Sequence, residues 1–467
     1  GWVKRRPLVA SLIALAIVAA IAVGVALGVV LGNKSDATKN GSSASPDNNA
    51  AQGSTGSNGG VASNGTSTST NGSTTAKAVT PLPAWNLTDP NTKMIGVSLG
   101  NWLVLERWMD EDWMTSTGGD DAWDEWTFTQ NLGADKAKAA LTDHWNSWVT
   151  EAEIDTLKSV GINTVRIPVG YWAFVPAASG EPYVAQAGQT DQITKMLGWL
   201  YDRGMYAMID LHGMPGSQNG DQSSGHNTTN QQWWSDTNQG YSYTVLNATI
   251  EFIKTNKYSS VVHSVCSVNE PQIYSDSNKK AIATKWYEAS YNMLKAAGLI
   301  FVFHNGFGQP DDWVDFATGK DPNYIAYSTN PYPGWFPAKT NADSITSAVC
   351  TLAQQAVGYP VPMIYTEWSV VNGVQTDSFD QSYYNTQLSA YGWSAGSSFW
   401  SFKTVHSTNR VLAETNNVMD MYSLLTLISQ GLVQKPSNPN ESGLDMLKGL
   451  NNTGCGDIPT VKWTNPS

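Results

Sequence analysis

Several common chemistries have little to work with in this chain. It holds only three cysteines, Cys266, Cys350 and Cys455, so a disulfide framework cannot be what folds its 467 residues. An odd count also forbids complete internal pairing. Cys266 lies in the apolar run SVVHSVCSV and reads as a buried thiol, which leaves Cys350 and Cys455 as the candidate pair, stapling the C-terminal tail to the domain. Histidine is scarce as well. His144, His212, His226, His263, His304 and His406 show no zinc-ligand spacing, and no glycine-rich phosphate loop occurs, so neither a metal nor a cofactor is expected. Basic residues are outnumbered 39 to 27, for a formal charge of -12. That balance argues against a nucleic-acid partner and suits an uncharged polymer such as a polysaccharide. The 20 Trp and 19 Tyr are mostly core material, but so many rings also favour stacking against sugar faces.

Charge is wholly absent from Leu8 to Leu31. A helix over those residues rises about 36 Å, enough for a hydrocarbon core of about 30 Å. A cleaved signal peptide has a shorter apolar region, of roughly 7–15 residues, so the segment reads as a retained signal-anchor. Lys4, Arg5 and Arg6 precede it and place residues 1–7 in the cytoplasm, with everything after the anchor outside, a single-pass type II arrangement. Gly24, Gly28 and Gly32 recur every four residues on one helix face, a pattern that suits a weak homodimer, although glycine is ordinary in membrane helices. Residues 32–80 are Ser, Gly, Asn, Thr and Ala with almost no bulky apolar side chain, and read as a flexible linker with a mean reach of about 40 Å. Sequons at Asn33, Asn40, Asn64, Asn71 and Asn86, then Asn227, Asn247, Asn440 and Asn451, agree with an exoplasmic, glycosylated chain. The plasma membrane is the natural location.

Residues 81–467 alternate short β-rich runs with amphipathic helical patterns. Strands are expected at Ile95–Leu99, Thr164–Val169, Tyr206–Leu211, Val261–Val268, Ile300–His304, Tyr324–Thr329, Met363–Tyr365 and Ser397–Ser401. Helices are expected at Glu151–Val160, Asp191–Tyr201, Thr244–Lys254, Lys279–Ala297, Ser344–Val357 and Tyr383–Tyr391. Eight βα units predict an α/β fold, a (β/α)8 TIM barrel, whose chemistry sits at the C-terminal strand ends. The Trp-rich stretch from Glu106 to Thr150 is long for a first loop, and predicts an inserted helix that walls one side of a cleft.

Polar residues fall at those strand ends: Arg166, then Asp210 and His212, then Asn269 and Glu270, Asn330 and Tyr332, Glu367, and Trp400. Two carboxylates at opposite strand mouths are what glycoside cleavage needs, one to protonate the leaving oxygen and one to attack the anomeric carbon. Of two close carboxylates one keeps its proton, and here that is Glu270. Each residue also has a plainer reading: Arg166 as a structural ion pair, His212 as a satisfied core histidine, and Asp210 as a brace for neighbouring loops.

Six ordered segments carry a family resemblance. They are GVSLGNWLVLERW from Gly96, GINTVRIPVGYW from Gly161, IDLHGMPGSQNG from Ile209, SVNEP from Ser267, YTEWS from Tyr365 and FWSFKT from Phe399. With these the chain resembles the fungal and oomycete exo-1,3-β-glucanases of glycoside hydrolase family 5. The resemblance implies Glu270 as acid/base and Glu367 as nucleophile, with Asn269 on the sugar 2-hydroxyl and Arg166 holding the nucleophile. It further implies His212 on a sugar hydroxyl, Tyr332 near the nucleophile and Trp400 as the floor of the same subsite. Three departures stand out. Asn330 replaces a histidine, Asp221 replaces one aromatic of an entrance clamp whose other side falls to Trp335, and Phe402 to Val405 depart from the strand-eight pattern Trp-Lys-Thr-Glu. Two further readings stay open: a β-glucosidase for another β-glucoside, and a membrane-tethered glucan-binding or sensor protein with impaired catalysis.

Overall fold

The computed structural model describes residues 79–408 and 414–463. The apolar segment 8–31, the linker up to residue 78 and the glycine face at Gly24, Gly28 and Gly32 lie outside the described residues. Among those described, no helix is long and apolar enough to cross a membrane.

Eight parallel strands close on themselves in sequence order: β1 (Met94–Ser98), β2 (Thr164–Gly170), β3 (Tyr206–Gly213), β4 (Val262–Cys266), β5 (Ile300–His304), β6 (Ile325–Thr329), β7 (Met363–Tyr365) and β8 (Gly396–Phe399). The expected barrel is therefore present, and β5 and β7 have the expected bounds. Closure runs through β1 and β8, with Met94 opposite Gly396 and Val97 opposite Phe399. Gly396 is required there. Its φ is 112°, and a Cβ would lie 2.1 Å from the Met94 carbonyl oxygen.

The outer helices are α1 (Ala134–Trp148), α2 (Glu151–Ser159), α3 (Gln189–Asp202), α4 (Asp236–Thr255), α5 (Ser277–Ala296), α6 (Ala342–Ala356) and α7 (Asp377–Tyr391). Helix α2 shows how local sequence sets a boundary. The Thr150 hydroxyl accepts from the Glu153 amide while the Glu153 carboxylate accepts from the Thr150 amide, and Ile154 and Leu157 turn inward. The first loop carries more than the one inserted helix expected: Glu111–Gly118 and Glu125–Leu132 precede α1. Cys350 on α6 is bonded to Cys455, with Cα atoms 5.2 Å apart, and Cys266 is a buried free thiol.

The barrel interior has two characters. Met94, Met208, Cys266, Ile300, Val302, Ala326 and Ile364 form one apolar cluster, with Trp85 packed against it. Nearer the C-terminal strand ends the interior turns polar, with Ser98, Arg166, Asp210, His304, Ser328 and Ser398 all buried. Buried polar groups demand partners, and this layer supplies the supports of the site above it.

Candidate active site

Arg166, inside β2, is the hub. Its Nη1 donates to Glu367 Oε1 at 2.8 Å, and Nη2 donates to Asn269 Oδ1 at 2.8 Å and lies 3.0 Å from Asp210 Oδ2. The guanidinium is fully buried. Burial works against its charge, but Asp210 and Glu367 outweigh that and hold it cationic. Two strand-end residues, Asn269 after β4 and Glu367 after β7, are thus fixed by one rigid fork.

Asp210, expected only to brace loops, does something else. Its Oδ2 also meets His212 Nδ1 at 2.5 Å, so one carboxylate couples Arg166 to His212. Burial tends to raise the Asp210 carboxyl, but Arg166 and His212 prevail and hold it below the usual range. With Nδ1 committed, His212 presents Nε2 outward, 3.8 Å from Glu106 Oε1. The His212 ring stacks on Trp400 at 5.5 Å between centroids and 8° between planes.

Glu106 had not been singled out by the sequence reading. It follows β1, its Oε2 accepts from Trp108 Nε1 at 2.8 Å, and burial raises its carboxyl to about 7, against the opposing pull of His212. The only signal was a carboxylate within the first matched segment. Gln218 was also missed. Its amide donates to the carbonyls of His212 (2.6 Å) and Asn269 (2.8 Å), tying the ends of β3 and β4 together.

Glu270 takes a left-handed backbone, φ 45°, directly before Pro271. A non-glycine residue there costs on the order of 1–3 kcal/mol, a kind of strain that clusters at functional sites. Asn330 Nδ2 donates to Glu270 Oε1 at 2.7 Å, and Thr366 Oγ1 donates to Asn330 Oδ1 at 2.7 Å. Burial pushes the Glu270 carboxyl well above the ordinary range. The Glu367 charge adds to this, and the Asn330 hydrogen bond works the other way. The two glutamates therefore share one electrostatic environment.

Tyr332 donates from its hydroxyl to Glu367 Oε2 at 3.2 Å, and burial together with the Glu367 charge keeps that phenol protonated. The Asn269 Nδ2 is buried without a hydrogen-bond partner, a donor free for a substrate hydroxyl. Trp335 is half-buried and packs on the core, while its neighbour Phe336 is exposed and meets Tyr332 edge-on at 5.8 Å. The structure thus gathers Arg166, His212, Asn269, Glu270, Asn330, Tyr332, Glu367 and Trp400 around one mouth. Among the described residues no His, Cys, Asp and Glu group is arranged to hold a metal ion.

Such an arrangement offers a carboxylate paired with a guanidinium, a protonated carboxylic acid and, beside His212, the flat ring of Trp400. Comparison with known proteins agrees. The cellulase (glycosyl hydrolase family 5) profile matches residues 132–404. A probable glucan 1,3-beta-glucosidase A of Aspergillus niger is 31% identical over 354 residues, covering 66% of this chain and 82% of that one. The glucan 1,3-beta-glucosidase of Yarrowia lipolytica is 31% identical over 322 residues, covering 64% and 75%. In fold, a rutinosidase from Aspergillus niger superposes with a TM-score of 0.66 at 21% identity, over 76% of this chain and all of that one. The chain is a glycoside hydrolase and belongs to glycosyl hydrolase family 5.

Proposed function

We propose that this hydrolase cleaves β-1,3-glucan from the non-reducing end, releasing glucose with retention of anomeric configuration. Glu367 attacks the anomeric carbon while Glu270 gives its proton to the glycosidic oxygen, and the shortened glucan departs as an alcohol. Glu270, now a carboxylate, takes a proton from water. The resulting hydroxide displaces Glu367 from the glucosyl ester, and glucose leaves. Arg166 lowers the energy of the anionic nucleophile, Asn269 meets the 2-hydroxyl, and Trp400 lies beneath the sugar, with His212 at its edge.

The observation that carries the reading is the asymmetry of the pair. Glu367 faces Arg166 and the Tyr332 hydroxyl, whereas desolvation and the neighbouring Glu367 charge keep Glu270 protonated. One is thereby suited to attack and the other to donate. The relatives named glucan 1,3-beta-glucosidase support the choice of β-1,3-glucan.

The same reading places residues 1–7 in the cytoplasm, 8–31 in the plasma membrane as a type II anchor, 32–80 as a glycosylated linker and 81–467 as the extracellular hydrolase, acting on cell-wall glucan. Self-association through Gly24, Gly28 and Gly32 belongs to it as well. What supports this part is the uncharged apolar run and the sequon density.

The test is incubation of the purified protein with laminarin and with cello-oligosaccharides, beside Glu367→Gln. Glucose released from laminarin as the β-anomer, and lost by several orders of magnitude in the variant, is the expected result. First-formed α-glucose defeats the nucleophile assignment. Release only from other β-glucosides defeats the linkage, and binding without turnover favours the tethered glucan binder.

A further inference from the structure

The acid side of the site carries a feature that the two-carboxylate chemistry does not use. Asp221 opens the short helical turn Gln222–Ser224 in the position of a helix cap, yet its side chain makes no capping hydrogen bond. The backbone does the holding instead. The Asp221 amide donates to Asn219 Oδ1 at 2.9 Å, and its carbonyl accepts from Ser224 Oγ at 2.8 Å. The carboxylate is left free of the cap and meets Gln272, two residues after Glu270. It lies within electrostatic reach of both Glu270 and Tyr274, raising the carboxyl of the one and the phenol of the other.

The side chain that hydrogen-bonds its carboxylate is also pre-set. Gln272 follows Glu270 by two residues, and its Oε1 accepts from Gln231 Nε2 at 2.5 Å, while Gln231 Oε1 accepts from Lys279 at 2.9 Å. That chain orients the Gln272 amide toward Asp221 Oδ2, at a long 3.4 Å. A bond of that length leaves the carboxylate most of its accepting capacity. Asp221 keeps open surface to solvent.

A general acid must reach the glycosidic oxygen, so the departing group lies on the Glu270 side of the scissile bond. The residues around Glu270 that face open space are therefore the ones the departing group meets. A carboxylate there suits hydroxyls, which it accepts strongly, and suits poorly a flat apolar ring that would desolvate it without a partner.

We propose that Asp221 is the specificity-determining residue on the leaving-group side: its carboxylate accepts hydrogen bonds from hydroxyls of the departing sugar, so the cleft is fitted to hydroxyl-rich leaving groups over apolar aglycones. This deepens the proposed function and rests on it for the roles of the two glutamates.

The experiment compares wild type with Asp221→Ala and Asp221→Asn on two substrates that both require protonation on leaving. Laminaritriose departs as a sugar with neighbouring hydroxyls; phenyl β-glucoside departs without any. A lost charged hydrogen bond predicts a fall in kcat/KM of roughly tenfold or more on laminaritriose, expressed mainly in KM, and less than about twofold on phenyl β-glucoside. Asp221→Asn, which keeps an acceptor, falls between. Equal losses on both substrates, with a displaced basic limb of the pH profile, mean that Asp221 acts only through Glu270 and overturn the proposal. No loss on either overturns it too. If wild type prefers cellotriose, the β-1,3 reading fails while the same comparison on cellotriose still decides Asp221. Activity on phenyl β-glucoside alone sinks both. Thermal unfolding of each variant beside wild type separates these effects from misfolding.

Discussion

Asn330 donates its amide to Glu270 Oε1 at 2.7 Å and is itself oriented by Thr366, which donates to its carbonyl at 2.7 Å. A residue that reads in the sequence as a loss, Asn where the related pattern has His, therefore has a defined partner. It holds the acid without titrating near neutral pH. Because that hydrogen bond favours the carboxylate form, its removal raises the Glu270 carboxyl further. Asn330→Ala is expected to lower kcat about tenfold on poor leaving groups, since an acid no longer held in one orientation spends less time in reach of the oxygen. The basic limb of the pH–rate profile moves upward at the same time. Thr366→Val acts in the same direction and more weakly. A basic limb that moves down in Asn330→Ala refutes the arrangement.

Arg166 carries a larger effect, because its removal strands two acids. Asp210 and Glu367 both lean on it, at 3.0 and 2.8 Å, in a fully buried setting. Breaking one partner of a buried ion pair costs about 3–5 kcal/mol. Arg166→Met is expected to lose stability on that scale in urea denaturation and to lose at least about 100-fold in kcat. Arg166→Lys keeps the charge but cannot span Glu367, Asn269 and Asp210 together, so it recovers stability better than rate. Equal recovery of both rejects the fork as the reason for arginine.

These two networks were only half legible in the sequence, and the division has a physical reason. Strands and the glutamates they carry are local: a β-branched run such as Ile300–His304 announces itself, and its bounds were read correctly. Helix α4 was legible only from Thr244. Its first turns carry Asp236, Thr237, Asn238 and Gly240, which hide the apolar period, while Ser235 caps them by accepting from the Asn238 amide. The contacts of Glu106 and Asp210 were not legible. The Glu106 contact depends on the loop after β1 reaching His212 on β3, and the Asp210 ion pair depends on β2 lying beside β3, so no local spacing encodes either. Gln218 was silent for the same cause, since it bridges the carbonyls of two different strands.

The Cys350–Cys455 bond closes a loop of 105 residues and holds the C-terminal tail against α6, while the Gly454 amide donates to Thr386 Oγ1 on the neighbouring α7 at 3.1 Å. Loss of a disulfide of this span costs about 2–5 kcal/mol. The double variant Cys350→Ser, Cys455→Ser is expected to unfold at lower temperature and to lose its tail to proteases first, while kcat on a β-glucoside stays within about twofold, because none of the site's hydrogen bonds runs through α6. A large fall in kcat with unchanged thermal stability contradicts this.

His144 makes the clearest pH prediction for the fold. It is buried between Trp113 and Trp148, with ring centroids at 4.4 and 5.1 Å, and its Nε2 donates to the Asn101 carbonyl oxygen at 2.6 Å. Burial lowers its pKa to about 4, and the Asn101 contact resists that shift only in part. The unfolded chain binds a proton at that residue near pH 6.5. Between about 6.5 and 4 the unfolded state therefore holds more protons than the native state, so the contribution is complete above that window and drains away as pH falls through it. The slope from this residue approaches about 1.4 kcal/mol per pH unit, or roughly 3 kcal/mol across the window. His144→Gln removes the titration. In urea melts the stability of wild type relative to the variant should fall by about that amount from pH 7 to pH 4, whatever offset separates them at neutral pH; a difference that stays constant over this range means that the ring is hydrated or charged in the native fold.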